Sequence, residues 1–217
     1  MADPSSRTGT RYIDPAILAF VERTHVPHDA ALARAFDAPA GNDMPQIQVS
    51  PSEGKLLGSF VRMIGARKVV ELGTLAGYSA IHIGRALPED GKLYTIEIDP
   101  RHAAVARGNI EAAGLAGRVE VLVGGGVEML RELASRGPFD AVFLDADKEG
   151  YPHYATWAGR HLRKGGLLLA DNSYYFGRLL EDDASARAMR RFHEQLAVDF
   201  DAVCVPTPDG LVVAVRR

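Results

Sequence analysis

From residue 68 onward the hydrophobic positions fall into short runs, 68–72, 93–98, 119–123, 141–144 and 167–170, separated by stretches with helical spacing. Short runs that are apolar on both faces and alternate with helices predict βαβ units around a parallel sheet. Asp99-Pro100 starts one helix, Gly114 closes it, and Lys164-Gly165-Gly166 is expected to turn the chain into the fifth strand. Upstream, Ser50, Pro51 and Glu53 compose a capping box, which predicts a helix to about residue 64, ended by Gly65. Shorter helical patterns at 15–23 and 30–36 suit a lid or a dimer arm, and the polar first ten residues read as a frayed terminus or cloning remnant. A charged helix over 184–198 leads to two apolar runs, 202–205 and 211–215, around Pro206-Thr207-Pro208-Asp209-Gly210. That is a hairpin pattern, so an antiparallel pair is expected to complete a mostly parallel, seven-stranded sheet with helices on both faces.

Composition narrows the class. With 217 residues and 47% hydrophobic side chains, one α/β domain spanning 1–217 is expected, 1–47 as a helical arm or lid and 48–217 as the core. Lys+Arg 25 against Asp+Glu 28 leaves a net charge of -3, so no global basic field exists to hold nucleic acid. The single cysteine, Cys204, has no partner for an internal disulfide or a thiolate zinc cluster; core filling and a reducing, cytoplasmic location are the expectation. No apolar run approaches the ~18 residues of a membrane span, and the first ten residues lack the apolar stretch of a signal peptide.

In an open parallel sheet, ligands sit beyond the carboxyl ends of the strands, so the residues at those ends carry the candidate chemistry. The first strand ends in Glu71-Leu72-Gly73-Thr74-Leu75-Ala76-Gly77-Tyr78-Ser79, a glycine turn without the Gly-x-Gly-x-x-Gly spacing of a dinucleotide site. Glu71 would repel a pyrophosphate and attract an ammonium group. Glu97, ending the second strand, can take two ribose hydroxyls in a bidentate hydrogen bond. A nucleoside without phosphates satisfies both, although either residue taken singly is also an ordinary exposed strand-end carboxylate. Asp99 is assigned to the N-cap of the next helix.

The fourth strand ends in Leu144-Asp145-Ala146-Asp147-Lys148 and the fifth in Ala170-Asp171-Asn172. Asp145, Asp171 and the Asn172 amide oxygen are three hard oxygen donors suited to Mg²⁺, Mn²⁺ or Ca²⁺ with positions left for substrate and water. The competing reading makes Asp145 or Asp147 a cap for the helix near Tyr151 and Asp171-Asn172 an Asx-turn. The seven histidines, at 25, 28, 82, 102, 153, 161 and 193, show no paired zinc-ligand spacing, and each is expected at the surface.

Together these segments resemble the cation-dependent class I O-methyltransferases, the family of catechol O-methyltransferase and the caffeoyl-coenzyme A O-methyltransferases. The likeness runs from about Gln48 to the C-terminus, through Ser50-x-x-Glu53-Gly54, Glu71-Leu72-Gly73-Thr74 to Gly77-Tyr78-Ser79, Leu144-Asp145-Ala146-Asp147-Lys148, Asp171-Asn172 and Asp209-Gly210, in the family's order. It implies a Rossmann-like fold, a homodimer, and S-adenosylmethionine (SAM) and a divalent cation, Mg²⁺ first, as cofactors. On this resemblance Glu71, Gly73, Tyr78 and Ser79 hold the methionine part of SAM and Glu97 the ribose, while Val49, Thr74, Gly126 and Asp145 are further cofactor-binding positions. The same likeness makes Asp145, Asp171 and Asn172 the metal ligands and Lys148 the catalytic base, with Asp147 beside cofactor or substrate. Two stretches depart from it: Gly124-Gly125-Gly126 stands where the family has Gly-Pro-Ala or Gly-Asp-Ala, and Tyr174-Tyr175 where plant members carry Leu-Trp.

The implied reaction transfers a methyl group to a small catechol-like or other vicinally hydroxylated aromatic. A phenol with a pKa near ~10 is a poor nucleophile at neutral pH. Chelation of two vicinal oxygens by the cation and proton removal by Lys148, with Asp145 holding the centre, answer that difficulty. A metal-independent small-molecule methyltransferase and a non-catalytic nucleoside-binding protein of the same fold are the competing readings.

Overall fold

The computed structural model describes residues 14–217, so the polar first ten residues lie outside the described residues. Two helices lead: α1, Pro15–His25, whose N-cap Asp14 accepts from the Ala16 and Ile17 amides, and α2, Ala30–Gly41, capped by Asp29. Helix α3, Pro51–Met63, carries the full capping box, with Ser50 Oγ accepting from the Glu53 amide and Glu53 accepting from the Ser50 amide. Then come β1 (Lys68–Leu72), α4 (Tyr78–Ala86), β2 (Lys92–Glu97), α5 (Pro100–Ala112), β3 (Val119–Val123), α6 (Gly126–Leu133), β4 (Phe139–Leu144), α7 (Tyr151–His161) and β5 (Leu162–Ala170). Helix α8, Ala184–Asp199, precedes the hairpin of β6 (Phe200–Val205) and β7 (Leu211–Arg216). Among the described residues, no helix is long and apolar enough to cross a membrane.

The seven strands lie in the order β3-β2-β1-β4-β5-β7-β6, with the first five parallel and β7 antiparallel to both β5 and β6. Pleating divides each central strand between two cores. Val69, Phe143 and Leu169 face α3, α4 and α5, whereas Val70, Val142 and Leu168 face α6, α7 and α8. Full burial of each such side chain stabilises by roughly 1.5–3 kcal/mol, which is why these strands read as continuous apolar runs.

Lys164-Gly165-Gly166 does not form the expected turn. Strand β5 begins at Leu162, and the three residues are absorbed as an irregularity in its pairing with β4, where Phe139 pairs Leu162 but Ala141 pairs Leu167. Gly165 takes a left-handed φ of 73° there, the device by which a strand accommodates extra residues without losing its partner.

The chain winds outward from β1 to β3 and then returns to β4 on the other side of β1, which opens a crevice above the β1–β4 pair. Past the strand ends the ladder continues: the Gly73 amide donates to Ile96 O, the Asp145 amide to Leu72 O and the Asp171 amide to Leu144 O, at 2.8–3.0 Å. Gly73, Asp145 and Asp171 therefore stand side by side at the crevice.

Candidate active site

A cleft of roughly 740 Å³ opens at these carboxyl ends. Its floor depends on Gly73, whose φ is 97° and where an added Cβ would lie 1.9 Å from the Asp145 carbonyl oxygen. Any side chain there would push β1 and β4 apart. The loop beyond is pinned from both sides: Thr74 Oγ1 meets Thr95 Oγ1 at 2.6 Å, and the Leu75 amide donates to Glu97 Oε2 at 2.8 Å. Glu97 Oε1 accepts from the Asp99 amide at 3.0 Å, so its carboxylate is held in one orientation while each oxygen retains acceptor capacity. Ser79, in the first turn of α4, faces the cleft where the unpaired amides of a helix start favour a carboxylate.

Glu71 lies immediately behind this wall, fully buried, and neither carboxylate oxygen has a hydrogen-bond partner. Burial pushes its pKa up to about 7; the hydroxyls of Ser79 and Thr95 moderate the shift without reaching bonding geometry, and Asp145 and Glu97 add like-charge repulsion. A buried carboxyl with no donor is costly until a cation or N–H group reaches it.

On the other side of Gly73, Lys148 Nζ donates to Tyr151 Oη at 2.7 Å and stands 3.5 Å from Asp145 Oδ1. Tyr151 is wholly buried and directs its hydroxyl to the Leu144 and Asp171 carbonyls, each at 3.1 Å. One phenol thus ties the lysine to the ends of β4 and β5. Burial lowers the pKa of Lys148, against the opposing pull of Asp145 and Asp171. Burial likewise raises Asp145, and raises Asp171 to about 7, with the Asp145 charge as its second cause. Asn172, at φ 51°, places its side-chain amide near Asp209, where it favours that carboxylate's charged form.

The model of the O-methyltransferase family matches residues 23–217. The chain belongs to that family. It is similar to a catechol O-methyltransferase of Niastella koreensis, 42% identical over 201 residues covering 87% of this chain and 91% of that protein. A catechol O-methyltransferase of Mycobacterium tuberculosis is 41% identical over 212 residues, covering 94% and 96%. Among solved structures, the O-methyltransferase TomG of Streptomyces achromogenes in complex with SAM superposes with a TM-score of 0.89 at 37% identity, covering 93% of this chain and 96% of that one. An O-methyltransferase of Bacillus cereus in complex with S-adenosylhomocysteine (SAH) gives 0.87 at 34% identity, covering 93% and 97%.

Of the residues singled out in the sequence of this O-methyltransferase, Val49, Gly73, Thr74, Tyr78, Ser79, Glu97, Gly126, Asp145, Asp147, Lys148 and Asn172 line the cleft. Glu71 and Asp171 lie just behind its surface, both buried. Asp99 caps α5 as expected, accepting from the Arg101 amide at 2.8 Å. Asp147 makes no capping hydrogen bond and instead accepts from Tyr154 Oη at 2.6 Å.

Four contributors escaped the sequence reading. Tyr151 carried a usable signal, because three residues after Lys148 it shares a helical face. Gln48, whose amide nitrogen donates to Phe36 O while its oxygen is buried without a partner, carried none. Tyr154 and Phe176 complete the wall; Phe176, rather than Tyr174 or Tyr175, is the aromatic that reaches the cleft after the Asp-Asn pair. The expectation that every histidine is superficial fails at His82. It is buried at the α3–α4 contact, edge-on to Tyr78 at 4.9 Å, and burial pushes its pKa down to about 4. The space exists because residue 54 is glycine: a Cβ there would lie 2.6 Å from the His82 ring.

Proposed function

We propose that this chain is a SAM-dependent, divalent-cation-dependent O-methyltransferase acting on a small catechol-like or other vicinally hydroxylated aromatic, working as a homodimer. The reading is carried by one juxtaposition: a partnerless buried carboxylate, Glu71, on one side of Gly73, and the Asp145, Asp171 and Lys148 group on the other.

The donor set fits both cofactors. Glu71 suits the ammonium of the methionine moiety, the start of α4 at Ser79 its carboxylate, and the pre-oriented Glu97 the ribose hydroxyls. Asp145, Asp171 and the Asn172 oxygen are hard donors, and two adjacent carboxyls driven toward their neutral forms are relieved by a shared cation. When bound, SAM supplies an electrophilic methyl group and the cation a lowered pKa for the acceptor hydroxyl.

The protein's own side chains do the rest. Tyr151 holds Lys148 Nζ at the cleft floor, where a lysine with a lowered pKa takes the proton from the acceptor hydroxyl. Ile47 and Phe176, both largely exposed at the cleft, offer apolar surface to an aromatic ring. Orientation by these contacts turns an encounter between methyl and hydroxyl into an effectively unimolecular step.

The test is SAH release over a panel of catechols, hydroxycinnamoyl esters and flavonoids, with Mg²⁺ and with EDTA. Catechol-type acceptors are expected to turn over with Mg²⁺, to stop in EDTA and to recover on adding the metal. Full activity in chelator would favour the metal-independent reading, and cofactor binding without any release would favour a non-catalytic binder.

A further inference from the structure

We propose that Asn109 is a positioning residue for the cofactor loop and that Arg34, reaching over from α2, sets its orientation, so that the N-terminal arm and the cofactor site are energetically coupled. The inference rests on the cofactor reading above. Asn109 lies on α5 with 2% exposure, and its amide is used at both ends: Nδ2 donates to the Ala76 carbonyl at 2.9 Å, and Oδ1 accepts from Arg34 Nε at 3.0 Å.

Ala76 sits in a loop that needs holding. Leu75 before it has a φ of 49°, which a branched side chain adopts only under constraint, and Gly77 after it has a φ of 85°. The Leu75 amide in turn fixes Glu97 Oε2. A shift at Ala76 therefore passes directly to the carboxylate assigned to the ribose.

Arg34 matters because an amide is two-faced. Turned over, Asn109 would set its oxygen against the Ala76 carbonyl and leave that carbonyl unpaired. Arg34 has only donors, so it accepts the orientation with the amide oxygen toward itself and rejects the other. Arg34 is exposed, in a groove of roughly 350 Å³ between α2 and α5, and its removal leaves the core untouched. Coupling of this kind is reciprocal: if docked α2 helps the loop hold cofactor, bound cofactor must help hold α2.

Two variants separate the contacts. Asn109→Asp keeps an acceptor for Arg34 and sets a carboxylate against the Ala76 carbonyl; Arg34→Met removes the orienting donor at the surface. Calorimetric titration with SAH is expected to give a Kd raised about tenfold in Asn109→Asp and about threefold in Arg34→Met, and in an Asn109→Leu background, where no amide remains to be oriented, Arg34→Met adds nothing. The KM for SAM rises in step, while kcat at saturating SAM and the acceptor KM stay within about twofold, a split that general loosening would not produce. Hydrogen exchange supplies the reciprocal readout: SAH slows amide exchange across residues 30–41 in the wild type and less so in Arg34→Met. Unchanged SAH affinity in both variants, or independent multiplying effects, would overturn the inference while leaving the proposed function standing. A wild type that binds no SAH would remove both.

Discussion

Glu71 shows how much a single side chain reports. A carboxyl whose pKa rises from 4.5 to about 7 on folding contributes stability that is complete below pH 4.5 and disappears as the pH climbs to about 7, because the unfolded chain ionises first. The loss amounts to about 3 kcal/mol at roughly 1.4 kcal/mol per pH unit. Without cofactor, the wild type is expected to lose about that much more stability than Glu71→Gln between pH 4.5 and 8 in urea unfolding, since every other titration is common to the two. Saturating SAH should shrink the difference, as an ammonium beside Glu71 favours its charged form. Parallel pH profiles for the two proteins would show that Glu71 does not titrate as a buried group. The acidic strand end was legible in the sequence, but its lack of a partner was not, because that depends on which hydroxyls α4 and β2 bring near it.

Elements explain what individual residues do not. The hairpin loop between β6 and β7 clasps the segment after β5: the Ser173 and Tyr174 amides donate to the Gly210 and Asp209 carbonyls, and the Phe176 amide donates to both Asp209 carboxylate oxygens. This clasp sustains positive φ at Asn172, Tyr175 and Phe176, three left-handed excursions within one short segment that cost it free energy on their own. Asp209→Ala is accordingly expected to raise the acceptor KM by about tenfold and to lower kcat, with SAH affinity within about twofold of wild type. Steady-state kinetics beside a calorimetric titration check this; an equal loss of SAH affinity would place the clasp in the cofactor half of the cleft. The hairpin itself was evident from two apolar runs around a Pro-Asp-Gly loop. Its docking against residues 173–176 was not, being a contact between segments some thirty residues apart in sequence.

Across the whole molecule, the arm stands out for what it leaves uncovered. No residue of α1 is buried, and Ile17 and Phe20 on it are 49% and 60% exposed. An amphipathic helix with its apolar side in water calls for a further surface. Strand β6 is also a sheet edge, with Val203 61% exposed. Light scattering is expected to give a particle of twice the 23.4 kDa chain mass, and Phe20→Glu to shift it toward monomer. A wild-type monomer at micromolar concentration would remove the homodimer from the proposal.

Local chemistry in the sequence determined the alternation of strands and helices, the capped start of α3, the Asp99 cap and the identity of the acids at the strand ends. Periodicity and capping act within a few residues, so they can be read without a fold. Tertiary structure alone decided that Lys164-Gly165-Gly166 extends β5, that His82 is core, that Tyr151 is tied to the ends of β4 and β5, and that Asn109 joins Arg34 to the loop at Ala76. Each of those outcomes depends on burial and on partners supplied by another element, and burial is a property of the packed chain rather than of any segment within it.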